Sequence, residues 1–277
     1  MNSPGKKTEK PYWQGRHRHV SHERIAWYGV QGDECYWYDY WKARLTTDYY
    51  TAAESTSLID DELGQILLKY LSQYGLHLEA GCGAGYWVAT LRQQGLSIEG
   101  IEYARDLVEL VRAANPQLPV KQGDALAIDC PDGTYDSYLS IGVVEHRQAG
   151  PEPFLVEAYR ALKPGGRILI AVPYFGPTRQ LKSKLFLYER QRPALPFFQY
   201  GFSKQEFSRI LRKAGFSIVY VQPLYPHRLL QEELPGYHRL ARKAPFVRKL
   251  AEYILRKRDG HMLLIVGQKP EKQRISY

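Results

Sequence analysis

Cysteine is scarce in this 277-residue chain: three residues, Cys35, Cys82 and Cys130, form an odd and scattered set. They cannot build a disulfide framework, and no two stand at the short spacing of a zinc knuckle. A reducing, cytoplasmic setting with no metal centre is therefore expected. Long apolar runs are missing too. No stretch approaches the ~20 residues that span a bilayer. The N-terminal MNSPGKKTEK carries basic residues with no apolar run behind them, which disfavours a secretory leader. Internal repeats and low-complexity tracts are also absent. What remains, 44% hydrophobic and 24% charged residues, is ordinary globular composition, enough for one α/β domain of about 250 residues.

Acidic residues are sparse at the two ends. The net charge is +9, but residues 1–25 hold six basic and two acidic groups, residues 209–277 fifteen and five, and the middle is net acidic. Such a distribution argues against one continuous nucleic-acid cleft and for basic surface segments. Residues 1–24 have no apolar period and read as a flexible basic arm. Their histidines, His17, His19 and His22, lack a carboxylate or thiol partner that would suggest metal binding. Residues 25–57 form an aromatic cap segment running from Trp27 to Tyr50. It either packs onto the main domain or roofs a pocket for a flat or cationic ligand.

From residue 58 the pattern alternates. Apolar residues at helical spacing run to Leu71, followed by a short strand, Leu76–Ala80, and a glycine-rich turn over 81–85. The expected sequence continues with a helix closing at Gly95, a strand 97–101, a helix 106–114 stopped by Asn115-Pro116, an extended segment 120–123 and a strand 135–141. A helix 153–162 ended by Lys163-Pro164-Gly165-Gly166 and an apolar strand 167–172 complete the regular part. Alternating strands and helices imply a parallel sheet covered on both faces, with ligands beyond the carboxyl ends of the strands. Insertions at 173–202 and 223–259 interrupt the last third. They flank a helix 203–214 and a strand 216–221, and a final strand spans 261–267.

The informative stretch is HLEAGCGAGY, residues 77–86. Glycines at every second position let the backbone turn sharply and press amide groups against a ligand. Glu102 ends the next strand, where a carboxylate can accept from both ribose hydroxyls and repel a 2′-phosphate. A dinucleotide fold wants its third glycine where Tyr86 stands, so no pyrophosphate cradle is evident.

On these residues the chain resembles the class I S-adenosylmethionine-dependent methyltransferases, in their type 11, small-molecule branch. The resemblance rests on five blocks in order over roughly 60–270: Glu79 to Gly85, Ile101-Glu102, Gly123-Asp124-Ala125, YDSYLSIGVVEH at 135–146 and LKPGGRILI at 162–170. It implies a Rossmann-like fold, a mostly parallel seven-stranded sheet with helices on both faces, making 58–277 the methyltransferase domain, and S-adenosylmethionine as cofactor. It also implies that Glu79 approaches the amino end of that cofactor, that Gly81, Cys82, Gly83 and Gly85 shape its cradle, and that Glu102 takes the ribose. Asp124 and Ala125 would take the adenine, and the carbonyl of Ser140 or Ile141 the ammonium. Cys82 is then a backbone contact; no base stands near it in sequence to activate a thiol.

Methyl transfer needs chiefly aim. His146 has the residue type and titration range of a general base or substrate orienter, although the same Glu-His pair could serve a structural hydrogen bond. No Asp/Asn-Pro-Pro-aromatic run and no Pro-Cys follow the fourth strand, which disfavours flipped-base chemistry. Expected substrates are small-molecule or lipid-linked, methylated at oxygen. An RNA methyltransferase and a catalytically silent cofactor-binding module remain as alternatives. Substrate-pocket candidates are Tyr36, Trp37, Trp41 and Tyr50 from the cap, and Tyr174, Phe175, Phe198 and Tyr200 from the first insertion. A basic amphipathic helix over 245–258 either docks on its own domain or touches an anionic membrane. Nothing in the sequence sets an oligomeric state.

Overall fold

The computed structural model describes residues 17–45, 49–50 and 61–271. Expectations for residues 1–16, for most of 46–57 and for the helix start at 58–60 lie outside these. Seven strands make the central sheet: β3 (Leu76–Ala80), β4 (Ser97–Glu102), β5 (Val120–Gln122), β6 (Tyr135–Ile141), β7 (Leu162–Pro173), β9 (Ser217–Leu224) and β10 (Met262–Gln268). Their spatial order is β5-β4-β3-β6-β7-β10-β9. β10 runs antiparallel to both neighbours, while the other pairings, from β5 to β7, are parallel. This is the expected Rossmann-like, mostly parallel seven-stranded sheet, with helices on both faces.

Side-chain alternation along the strands sorts the core into two layers. Leu169 and Ala171 of β7 face one cluster, with Leu63 and Leu67 of the Glu62–Tyr70 helix and Val88 and Leu91 of the Tyr86–Gln93 helix. Ile168, Ile170 and Val172 face the other, with Leu155 of the Glu152–Ala161 helix and Phe207 and Leu211 of the Lys204–Lys213 helix. Both clusters are fully desolvated, and each such Leu, Ile or Phe contributes roughly 1.5–3 kcal/mol. Two helices start at side-chain caps, Asp61 accepting from Gly64 N at 2.8 Å and Ser203 from Glu206 N at 3.1 Å.

A second, three-stranded antiparallel sheet corrects the reading of a polar arm through residue 24. β1 (His17–Ser21) pairs with β2 (Arg24–Tyr28), and β2 pairs with β8 (Phe197–Phe202) from the first insertion. β1 shows no apolar period because it is an edge strand held by backbone pairing and by polar contacts, such as Arg18 Nη1 on Glu233 Oε1 at 2.7 Å. The cap segment and the first insertion are thus joined. Residues 34–42 of the cap form a helix, capped by Asp33.

The Lys163-Pro164-Gly165-Gly166 stop differs as well: β7 begins at Leu162, directly after the helix. A register irregularity opposite Tyr135–Ser137 absorbs the proline and glycines, and the strand then runs on to Pro173. The second insertion folds into three helices, Pro226–Glu233, Tyr237–Lys243 and Pro245–Leu255.

Candidate active site

Beyond the carboxyl end of β3 the chain bends through Gly81–Gly85. Gly81 has φ +75° and Gly83 φ +54°, a left-handed region that disfavours side chains. A Cβ on Gly81 would lie 2.5 Å from Val143, and one on Gly83 2.5 Å from the Trp41 indole, so the bend admits no side chain at either position. Gly81 N and Cys82 N both donate to Ile101 O, at 2.8 and 3.0 Å, tying the bend to β4. Glu102, at the end of β4, accepts from Gly83 N at 2.9 Å and from Ala104 N at 3.1 Å. Burial raises its carboxyl above the usual range, against the pull of those amides.

These elements border a cleft of about 430 Å³, within the ~300–1,000 Å³ range of small-molecule sites. Its lining includes Gly81 and Glu102, Asp124 and Ala125, Ile141, Gly142, Val143 and His146, and Trp37 and Trp41 of the cap. Asp124 Oδ1 accepts from Leu126 N at 2.8 Å. His146 is wedged edge-on between Trp37 and Phe198, each ring 4.8 Å away, and its Nδ1 lies 2.8 Å from Phe198 O. A carbonyl oxygen only accepts, so Nδ1 carries the proton in the neutral ring and Nε2 keeps its lone pair. Glu145 Oε1 is 3.9 Å from Nε2. Glu145 is buried with Oε2 unpaired, and burial pushes its carboxyl up to about 8.

Residues 78–170 match the family model described as a methyltransferase domain. A probable S-adenosylmethionine-dependent methyltransferase of Mycolicibacterium smegmatis is 29% identical over 141 residues, covering 51% of each chain. The malonyl-[acyl-carrier protein] O-methyltransferase of Serratia marcescens is 30% identical over 104 residues, 38% of this chain and 40% of that protein. Over residues 78–170 the chain is similar to that methyltransferase domain. It spans about half the length of the Mycolicibacterium relative it matches. Among solved structures, an S-adenosylmethionine-dependent methyltransferase of Thermotoga maritima superposes with a TM-score of 0.52 at 21% identity, over 84% of this chain and 99% of that one. A chain of the Haloferax volcanii complex between the Trm112 methyltransferase activator and a methyltransferase gives 0.57 at 18%, over 89% and 100%. At such identities the likeness is one of fold.

Of the expected cofactor and catalytic residues, Gly81, Glu102, Asp124, Ala125, Ile141 and His146 line the cleft, whereas Glu79, Cys82, Gly83, Gly85 and Ser140 do not. Glu79 is buried with Oε2 unpaired. Burial pushes its carboxyl up to about 8, a Val88 backbone hydrogen bond opposes the rise and the Glu102 charge adds to it. Cys82 Sγ packs under Gly100, and burial holds its thiol well above the usual range. A buried thiol so held disfavours the nucleophilic thiolate form.

The aromatic candidates divide. Trp37 and Trp41 border the cleft. Tyr36 and Phe198 pack behind Trp37, and Tyr50 donates to Ala84 O at 2.8 Å beneath the bend. Tyr174 is buried in the core at the end of β7, Phe175 packs with Ile25 and Trp27, and the Tyr200 hydroxyl donates to Gln148 O. None of these three lines the cleft: Tyr174 and Phe175 follow β7 into buried clusters, and Tyr200 lies on β8, which turns back to pair with β2. The sequence reading missed Glu34, Tyr103, Val143, Arg147 and Phe154 on the cleft. Tyr103 and Val143 were readable as neighbours of Glu102 and of the fourth-strand block. Glu34 had no such signal: it reaches the site by accepting from Arg105 N at 2.9 Å, 71 residues away in sequence.

Proposed function

We propose that this protein acts in the cytoplasm to transfer the methyl group of S-adenosylmethionine to a small-molecule or lipid-linked acceptor, at oxygen in preference to nitrogen or carbon. The observation that carries the reading is the side-chain-free bend at Gly81 and Gly83 beside a buried Glu102 carboxylate on the cleft. The residues fit the group. A carboxylate offers about four lone-pair sites, and Glu102 uses two on the backbone, leaving capacity for ribose hydroxyls. Asp124 and Ala125 would hold the adenine and the Ile141 region the ammonium, with the unpaired Glu79 Oε2 available behind the bend. When bound, this cofactor would supply an electrophilic sulfonium methyl, transferred in line as its bond to an acceptor atom forms and its bond to sulfur breaks, with the neutral thioether leaving.

His146 would take the acceptor's proton at Nε2, with Nδ1–H fixed on the Phe198 carbonyl so that the basic nitrogen cannot rotate away. Trp37 and Trp41 would exclude water and present flat apolar surface to the acceptor. Two relatives by name act on a carrier-protein-bound malonyl group, at oxygen, and on demethylmenaquinone, which supports a non-nucleic-acid substrate. Calorimetry with S-adenosylhomocysteine and with NAD tests the cofactor. Micromolar binding of the first and none of the second is expected, and binding of NAD alone would overturn the proposal. A methyl-donor assay on cytosolic and membrane extracts, read by mass spectrometry for a gain of one methylene mass, then identifies the acceptor.

A further inference from the structure

The Pro245–Leu255 helix has two apolar faces, and among the described residues only one of them is packed. Val247, Ala251 and Leu255 dock against Leu230, Tyr237 and Ala241 of the two preceding helices. Phe246, Leu250, Tyr253 and Ile254 recur at the spacing of a second stripe and are 69%, 52%, 82% and 50% exposed, beside Leu240 at 53%. Around them residues 237–258 present eight exposed basic side chains, Arg239, Arg242, Lys243, Arg248, Lys249 and Arg256 to Arg258. The single acid in that stretch, Glu252, is held by Arg248 at 2.9 Å.

We propose that this protein docks on anionic lipid bilayers through this face, the apolar stripe entering the headgroup layer and the flanking cations resting on lipid phosphates. The inference goes beyond methyl transfer and does not depend on it. An eleven-residue helix is too short to cross a bilayer and lies in its plane. Charge and apolarity together select the occupant. A second copy of the chain in a two-fold contact would set the cationic face against itself. RNA would engage the cations and leave Leu250 and Ile254 without an apolar partner. An anionic bilayer satisfies both, and each basic group near its surface strengthens binding roughly fivefold.

The test is sedimentation of the full chain with vesicles of phosphatidylcholine alone and of phosphatidylcholine with phosphatidylserine, at low and high salt. Binding to the anionic vesicles, weakened by salt, is expected. It should fall about tenfold or more in Phe246→Ser/Leu250→Ser and in Lys249→Glu/Arg256→Glu, while the thermal midpoint and S-adenosylhomocysteine affinity stay unchanged. Should the first variant fail to fold, Tyr253→Ser carries the same test, since that side chain packs on little. Several results would overturn the proposal: no binding to anionic vesicles, variants that bind as the parent does, salt-sensitive RNA binding without vesicle binding, or a dimer dissolved by Phe246→Ser/Leu250→Ser without vesicle binding.

Discussion

Glu102 and His146 border the same cleft but do different work, and substitution separates them. Glu102 braces two backbone amides as well as facing the cleft, so Glu102→Ala should weaken S-adenosylhomocysteine binding by about 1–3 kcal/mol in calorimetry. His146→Ala should leave that affinity intact and lower turnover by roughly 10²–10⁴-fold; undiminished turnover would reduce His146 to a packing residue between Trp37 and Phe198. Glu102 could be read from sequence because its distance from Gly81 is set by one strand, one helix and one strand of standard length. The division of the aromatics could not. Trp37 borders the cleft and Tyr200 does not, yet both are aromatic residues in segments flanking the regular fold.

At the scale of elements, one buried side chain joins segments remote in sequence. Arg179, fully buried on the Pro177–Lys184 helix, donates to Glu233 Oε1 at 2.9 Å, to Glu232 Oε2 at 2.8 Å and to Tyr174 O at 2.6 Å. Arg18 of β1 and Lys182 join it on Glu233, each at 2.7 Å. The network ties the N-terminal hairpin to both insertions. Arg179→Met would leave the buried Glu233 carboxylate without its main cation and Glu232 without a hydrogen-bond donor, and should cost about 3–5 kcal/mol in urea denaturation; a loss under about 1 kcal/mol would show the network acting as a surface ion pair does. None of this was legible, since an Arg, two adjacent Glu and a polar edge strand look solvated when read along the chain.

For the whole molecule, buried acids of opposite behaviour set the pH response. Burial alone would raise Glu233, but the charges of Arg179 and Arg18 and the hydrogen bond from Lys182 hold it at about 2, against an ordinary 4.5. Its contribution to stability is complete above about pH 4.5 and is lost as pH falls towards 2. Glu79 and Glu145 are pushed by burial to about 8. The fold favours their protonated forms, so their contribution is complete below about 4.5 and is lost as pH rises towards 8. The thermal midpoint should therefore peak near about pH 5 and fall on both sides, with a shallower alkaline decline in Glu145→Gln. A midpoint flat between about pH 5 and 8 would refute this account.

The sequence by itself determined the sheet of alternating strands and helices, the bend at 81–85 and the acid at the end of the following strand. These depend on local periodicity, on glycine at strained φ and on fixed element lengths. Only the tertiary structure decided that residues 17–28 form a hairpin whose second strand pairs with β8, which aromatics reach the cleft, and that Glu34 and Arg179 bridge distant segments. Backbone pairing of an edge strand and ion pairing across long loops leave no period in the chain, because their partners are chosen by the folded geometry of the sheet that brings them together.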